Sequence, residues 1–349
     1  MRRANRNGTL MMGVDGDMFS MKKYQTLESI GFYTLSDYRA SQCSATSPLW
    51  RCELLLTSRC NFHCIYCRGL RRDCEGEMPL DTALEVIHYW ARDGLKNVRF
   101  SGGEPTCYPH GWLLNIVTEC AVNFVEHIAI STNGSAPTAY YEMLIAHGVN
   151  DFSISLDSGC CSIGEKLAGG IKDSWNKVVE NIRILSQLTY VSVGMVFTED
   201  NFETCIDDVM FVHSLGVSDI RVIPSAQYNR ALYKLRELPP EILEKYPILK
   251  YRINHVRSQV PVRGLRPDDT HKCPLVLDDM AIAGRWHFPC IIYLREGGEP
   301  IGEINPLMRE QRKNWYETHD THADRICLGN CLDVCRDYNN RAILGLDNL

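Results

Sequence analysis

Between residues 51 and 224 the chain repeats one pattern, a short apolar, β-prone segment followed by a helix-like stretch. The segments fall near 53–57, 97–101, 127–131, 151–156, 190–197 and 219–223. The spacing predicts helices from Asp81 to Ala91, from Thr138 to His147 and from Phe202 to Leu215, stopped by Gly94, Gly148 and Gly216. Glycine just past a helix adopts the left-handed conformation that ends it at little cost. Six strands alternating with helices pack as right-handed βαβ units on a parallel sheet. Six are too few to close an eight-stranded barrel, so the expected fold is α/β, an open, TIM-like partial (β/α)6 barrel. Reactive residues in such folds sit where the strands end.

The chemistry-bearing residues obey that rule. Directly after Leu54-Leu55-Leu56 comes Cys60-Asn61-Phe62-His63-Cys64-Ile65-Tyr66-Cys67, a C-x3-C-x2-C spacing. Three thiolates on one short loop can hold three irons of a cubane [4Fe–4S] cluster and leave the fourth iron open for a small molecule. A structural zinc wants four ligands, and this loop offers no obvious fourth; Cys74 lies beyond an Arg-rich turn. After the second strand comes Ser101-Gly102-Gly103-Glu104-Pro105, after the third Ser131-Thr132-Asn133-Gly134, and after the fourth Ser153-Ile154-Ser155-Leu156-Asp157. Each of these also has a plainer reading. Gly-Gly and Asn-Gly are common turn dipeptides, and Ser or Asp after a strand often caps the next helix.

The totals bound the class. The chain has 349 residues, 45% apolar and 23% charged, which fits one large α/β domain plus an appendage. A net charge of -6 argues against a dedicated nonspecific nucleic-acid binder. Arg2, Arg3 and Arg6 are followed by no apolar stretch, so no secretory signal and no membrane span are expected, and the expected compartment is cytoplasmic. Sixteen cysteines in such a chain, with clustered spacings, point to metal rather than to disulfides.

The cysteine loop, with Tyr66 before its third cysteine, and the Gly102-Gly103-Glu104-Pro105 turn resemble the radical S-adenosylmethionine (radical SAM) superfamily. The resemblance implies the same partial barrel. It implies that Cys60, Cys64 and Cys67 bind a [4Fe–4S] cluster and that the open iron chelates SAM. It assigns cofactor contacts to Tyr66, Gly102, Gly103, Glu104 and Pro105, and to Ser131, Asn133, Ser155 and Asp157. The stretches Val191 to Asn201 and Arg221 to Pro224 match the fifth and sixth strand ends more loosely. The reaction implied is reductive cleavage of SAM to a 5′-deoxyadenosyl radical, with an external one-electron reductant of the flavodoxin or ferredoxin type.

The rest of the chain divides into a lead-in, 1–50, with a mobile first twenty residues and a helical stretch from Tyr24 to Ala40, and two later segments. Residues 225–272 form a bridging insert with ten Lys/Arg against five Asp/Glu. Such a run makes a solvated face or a contact for an anionic substrate. From 273 to 349 lie Cys273, Cys290, Cys327, Cys331 and Cys335. Cys273 and Cys290 bracket a hairpin, and the last three, spaced by four, fit one face of a helix. This segment resembles the C-terminal SPASM and twitch extensions of radical SAM proteins, small cysteine-rich auxiliary-cluster domains. Four of the five thiols would hold a second [4Fe–4S] cluster, with zinc as the alternative. His319 and His322 lie near Cys327 but are not needed as ligands. The remaining cysteines, 43, 52, 74, 107, 120, 160, 161 and 205, read as small buried residues.

The expected function is a radical SAM enzyme modifying a peptide or protein side chain, as auxiliary-cluster members often do. The alternative is radical rearrangement or modification of a nucleotide, nucleobase or nucleic acid. The Ser-Gly-Gly-Glu-Pro-Thr run and the twitch-sized extension also resemble the molybdenum-cofactor branch that rearranges GTP, whose C-terminal Gly-Gly is replaced here by Leu346-Asp347-Asn348-Leu349. A second alternative is a non-catalytic iron–sulfur regulatory protein. No acid or base catalyst is identified.

Overall fold

Successive side chains along the six repeating strands point to opposite faces of a pleated sheet, and one of the two faces is consistently apolar. The computed structural model, which describes residues 32–69, 74–224 and 230–346, places these strands as β1 Arg51–Thr57, β2 Asn97–Gly102, β3 His127–Thr132, β4 Asp151–Ser155, β5 Tyr190–Phe197 and β6 Asp219–Pro224. Each pairs in parallel with the next. Leu54, Phe100, Ile130, Phe152, Val193 and Ile220 belong to one buried core with the covering helices. The opposite positions are polar or small: Glu53, Arg99, Ser131, Asp151, Ser153, Ser192, Asp219 and Arg221. A parallel sheet covered on both faces is usually apolar on both. Here one face lines an open cleft, and the sheet does not close.

The helices begin and end where local chemistry dictates. Leu80–Arg92, His110–Val122 and Thr138–His147 each follow a proline, at 79, 109 and 137. Gly94, Gly148 and Gly216 have φ of 94°, 125° and 78° at the expected stops. The third expected helix is shorter than its pattern: Phe202–Thr204 is a 3-10 turn and the α-helix runs Cys205–Ser214.

The segment after the insert continues the same sheet. β7 Asp279–Ala283 pairs in parallel with β1, then β8 Trp286–Phe288 and β9 Gly302–Glu303 add antiparallel, giving the order β6-β5-β4-β3-β2-β1-β7-β8-β9. The expected hairpin is β7–β8, turning at Gly284 with φ 58°. The Arg51 guanidinium grips the Asp279 carboxylate across the β1–β7 pair at 3.0 and 2.6 Å. The single helix expected from Cys327 to Cys335 is broken. Arg325–Asn330 stops at Cys331, whose backbone is extended, and Asp333–Leu346 starts afresh. The cause is the pairing of this stretch with the insert: Leu332 bridges to Arg263, and Gly264 N–H donates to the Cys331 carbonyl at 2.9 Å.

The insert is less of a charged surface than its composition suggests. Its helix Pro247–Arg257 buries Leu249 and Ile253 against β6. Lys234, Lys250, Arg252, Arg263 and Arg266 each pair with a carboxylate of this chain. At the other end, the helix Asp37–Gln42 is locked by Arg39, which forms a buried two-pronged bond with Asp278. The first twenty residues and the start of the expected Tyr24–Ala40 helix, 24–31, lie outside the described residues, and the rest of it is a 3-10 turn, Tyr33–Leu35, followed by the helix Asp37–Gln42. No helix of the described residues is long and apolar enough to cross a membrane.

Candidate metal centres

The cysteine loop rests on the ends of β1 and β2. Gly103 N–H donates to the Thr57 carbonyl at 2.6 Å, and Glu104 N–H to the Arg59 carbonyl at 2.8 Å. A Cβ on Gly103 would lie 2.2 Å from the Arg59 oxygen, and one on Gly102 2.4 Å from that of Thr57. The two glycines are therefore required by the stem that carries Cys60. Across the loop, His63 and Ile65 N–H groups donate to the Ala168 and Leu167 carbonyls at 3.1 and 3.3 Å.

Cys60, Cys64 and Cys67 open onto a cleft at the C-terminal ends of the strands. Eleven of the twelve residues expected at this site line it: Cys60, Cys64, Tyr66, Cys67, Gly102, Gly103, Glu104, Ser131, Asn133, Ser155 and Asp157. Pro105 does not line it. It is buried as the first residue of the 3-10 turn Pro105–Cys107, where its fixed φ suits a helix start and its missing N–H costs nothing.

The polar groups of the wall are held by one another. Glu104 is buried, and its carboxylate accepts from Thr106 N–H, from the Thr106 and Thr132 hydroxyls and from Asn133 N–H at 2.6–3.0 Å. Burial pushes its pKa up in spite of these donors. Asn133 donates to Asn61 Oδ1 at 2.8 Å, tying the third strand end to the cysteine loop, and Ser131 Oγ accepts from Arg99 at 2.9 Å. Tyr66 O–H donates to Asp157, whose second oxygen accepts Val196 N–H at 2.8 Å. Burial raises Asp157 to about 6. Asp157 thus holds Tyr66 in place and does not cap a helix, while Ser155 is exposed to the cleft.

All five C-terminal cysteines line a second cavity. Burial pushes all five thiols up, Cys290 to about 12, and neighbouring thiols raise Cys290, Cys327, Cys331 and Cys335 further. Five thiols in one pocket suit a thiophilic metal, which deprotonates its ligands on binding. All sixteen cysteines of the chain are free thiols. His319 Nε2 lies 3.8 Å from Cys327 Sγ. Of the cysteines expected to be buried, Cys43, Cys52, Cys74, Cys120 and Cys205 are, whereas Cys107 and Cys161 are half-buried and Cys160 is exposed. The reason is position: Cys160 is the N-cap of the helix Cys161–Leu167.

The sequence pattern missed Arg295, which enters the cleft beside the cysteine loop. Its carbonyl partners lie 226 and 193 residues away, so no local motif marks it. Trp175, packed on Phe211, is a second wall residue that no motif marks.

Residues 54–212 match the family described as the radical SAM superfamily. That stretch of the chain is a radical SAM domain. Radical SAM proteins use a [4Fe–4S] cluster and SAM, and this one is an enzyme. It is similar to the probable GTP 3′,8-cyclase of Methanosarcina acetivorans, 26% identical over 295 residues that cover 76% of this chain and 86% of that protein. It is also similar to the GTP 3′,8-cyclase of Staphylococcus carnosus, 29% identical over 192 residues, where the match spans about half of each protein, 52% and 51%. Among solved structures, Streptococcus suis SuiB bound to precursor peptide SuiA superposes with a TM-score of 0.57 at 16% identity, over 82% of this chain and 68% of that one. That likeness is one of fold.

Proposed function

We propose that this radical SAM enzyme acts on a nucleotide, with a purine nucleoside triphosphate as the substrate class. The observation that carries this reading is the likeness to the probable GTP 3′,8-cyclase, which covers 76% of the chain and so runs well beyond residues 54–212. It favours the nucleotide over the peptide expected from the auxiliary cysteines, because the peptide-bound neighbour shares the fold at 16% identity.

In this reading Cys60, Cys64 and Cys67 hold the first cluster. Four of Cys273, Cys290, Cys327, Cys331 and Cys335 hold a second one, and an external one-electron reductant of the flavodoxin or ferredoxin type feeds the first. SAM bound beside a reduced cluster would supply the radical chemistry of hydrogen abstraction. The chain binds, orients and shields. The backbone at Gly102 and Gly103, with the Glu104 carboxylate behind it, would hold the methionine half of SAM. Ser131, Asn133 and Ser155 would hold its ribose and carboxylate, and the Tyr66–Asp157 bond fixes the Tyr66 ring in the sequence position before Cys67. Leu156, Trp175, Val178 and Ile223 form the apolar side of the cleft, which keeps water from a radical held against one C–H bond.

The test is 5′-deoxyadenosine formation by the anaerobically reconstituted full chain with SAM and a strong reductant, with GTP, ATP, a peptide digest or no addition. A several-fold stimulation by GTP is expected. Stimulation by peptide and not by any nucleotide contradicts the proposal, and no SAM cleavage at all with iron bound favours a regulatory protein.

A further inference from the structure

The five-residue helix Ile291–Arg295 joins the two cysteine groups. It begins at Cys290, whose Sγ accepts Tyr293 N–H at 3.4 Å. It ends at Arg295, whose guanidinium donates to the Gly69 carbonyl at 2.6 Å and to the Gly102 carbonyl at 3.0 Å. Gly69 closes the cysteine loop, and its own N–H donates to Cys67 Sγ at 3.4 Å. Gly102 opens the turn that carries the stem of the same loop. One planar cation therefore spans both walls of the cofactor cleft. Its rigid fork of donors can satisfy two carbonyls at once, which the point charge of a lysine does less well.

The charges around it are few. Among the described residues that line the cleft, Arg295 is the one cation. Glu53 and Cys67 face it with the opposite sign, and Arg68 with the same sign. Arg68 is itself turned away to Glu296, the residue after Arg295, which also receives Arg263 of the insert. The end of the short helix is thus fastened to the cysteine loop on one side and to the insert on the other.

The geometry points to Arg295 as a positioning residue: it fixes the two cofactor-facing loops against each other and places a positive charge beside Cys67, from a helix that starts on an auxiliary cysteine. The inference rests on Cys60, Cys64 and Cys67 being cluster ligands. A cation near a ligating thiolate favours the reduced, more negative cluster and so raises its potential. The first site is thereby made sensitive to the segment that carries the second.

A redox titration followed by electron paramagnetic resonance on the reconstituted full chain reads this directly, together with iron per chain. Arg295→Gln is expected to make the first cluster at least tenfold harder to reduce at a given potential, about 59 mV for a one-electron couple, at unchanged iron content. Arg295→Lys is expected to return the midpoint towards wild type, since it restores the charge. Equal first-cluster midpoints in wild type and Arg295→Gln, at equal iron, overturn the assignment. Should Arg295→Gln lose iron, Arg295→Lys decides. Wild-type iron and midpoint there support it, and iron loss in both variants makes Arg295 a packing residue and overturns it. Failure of the underlying reading shows separately, as a wild-type protein with no iron at the first site.

Discussion

Gly103 has the Arg59 carbonyl 2.2 Å and the Ser58 carbonyl 2.7 Å from where a Cβ would stand, so a single methyl group must move the stem of Cys60. Backbone cannot give way as a flexible side chain can. Gly103→Ala is therefore expected to remove the first cluster while sparing the second, measured as a loss of about half the iron per chain if both sites hold cubanes. A different residue governs stability. Asp278 is fully buried and held by Arg39 and Tyr338. Arg39→Ala leaves that carboxylate without its cation and is expected to cost about 3–5 kcal/mol in urea unfolding. Lys166→Ala, which breaks an exposed pair with Asp200, should cost no more than about 1 kcal/mol. The cysteine loop was legible at this scale because its chemistry is written within eight consecutive residues. Arg295 and Arg39 were not, since their partners lie far along the chain and only the fold brings them together.

Strand β6 carries an ionisable group that the sheet interior makes costly. Burial pushes Asp219 up to about 7 from an ordinary 3.8, against the pull of Arg221 and the N–H of Ile220. Between those two values the folded chain binds more protons than the unfolded one, so stability falls as pH rises from about 4 to 7. Asp219→Asn removes the proton and is expected to flatten that part of the stability profile in thermal unfolding from pH 5 to pH 8. An unchanged slope would mean that the group ionises freely. At the scale of elements, strand positions and glycine stops were readable because both signals are local. Strand partners were less so. The pairing of β7 with β1 depends on contacts such as Arg51–Asp279, and the break at Cys331 on the bridge from Leu332 to Arg263. A spacing of four cannot report either.

The whole molecule sets two cysteine groups at either end of one short helix on one sheet, with the cleft over the six parallel strands between them and the open side. The alternation of strands and helices already fixed the barrel half of this arrangement. The auxiliary half was legible as a set of thiols but not as an extension of the same sheet, since five cysteines state a chemistry and not a topology. Substrate class was least legible of all. It depends on the shape and charge of a cleft built from residues of each of the six parallel strands, and the composition of the insert says little about it, because half of its cations are already paired within the chain. Iron and sulfide per chain after anaerobic reconstitution test the central claim, two separate cluster sites, most directly. Wild type is expected to hold about eight irons and the Cys60, Cys64 and Cys67 triple alanine variant about four. About four irons in wild type and none in the variant would contradict the account, leaving the five C-terminal thiols to zinc or to no metal.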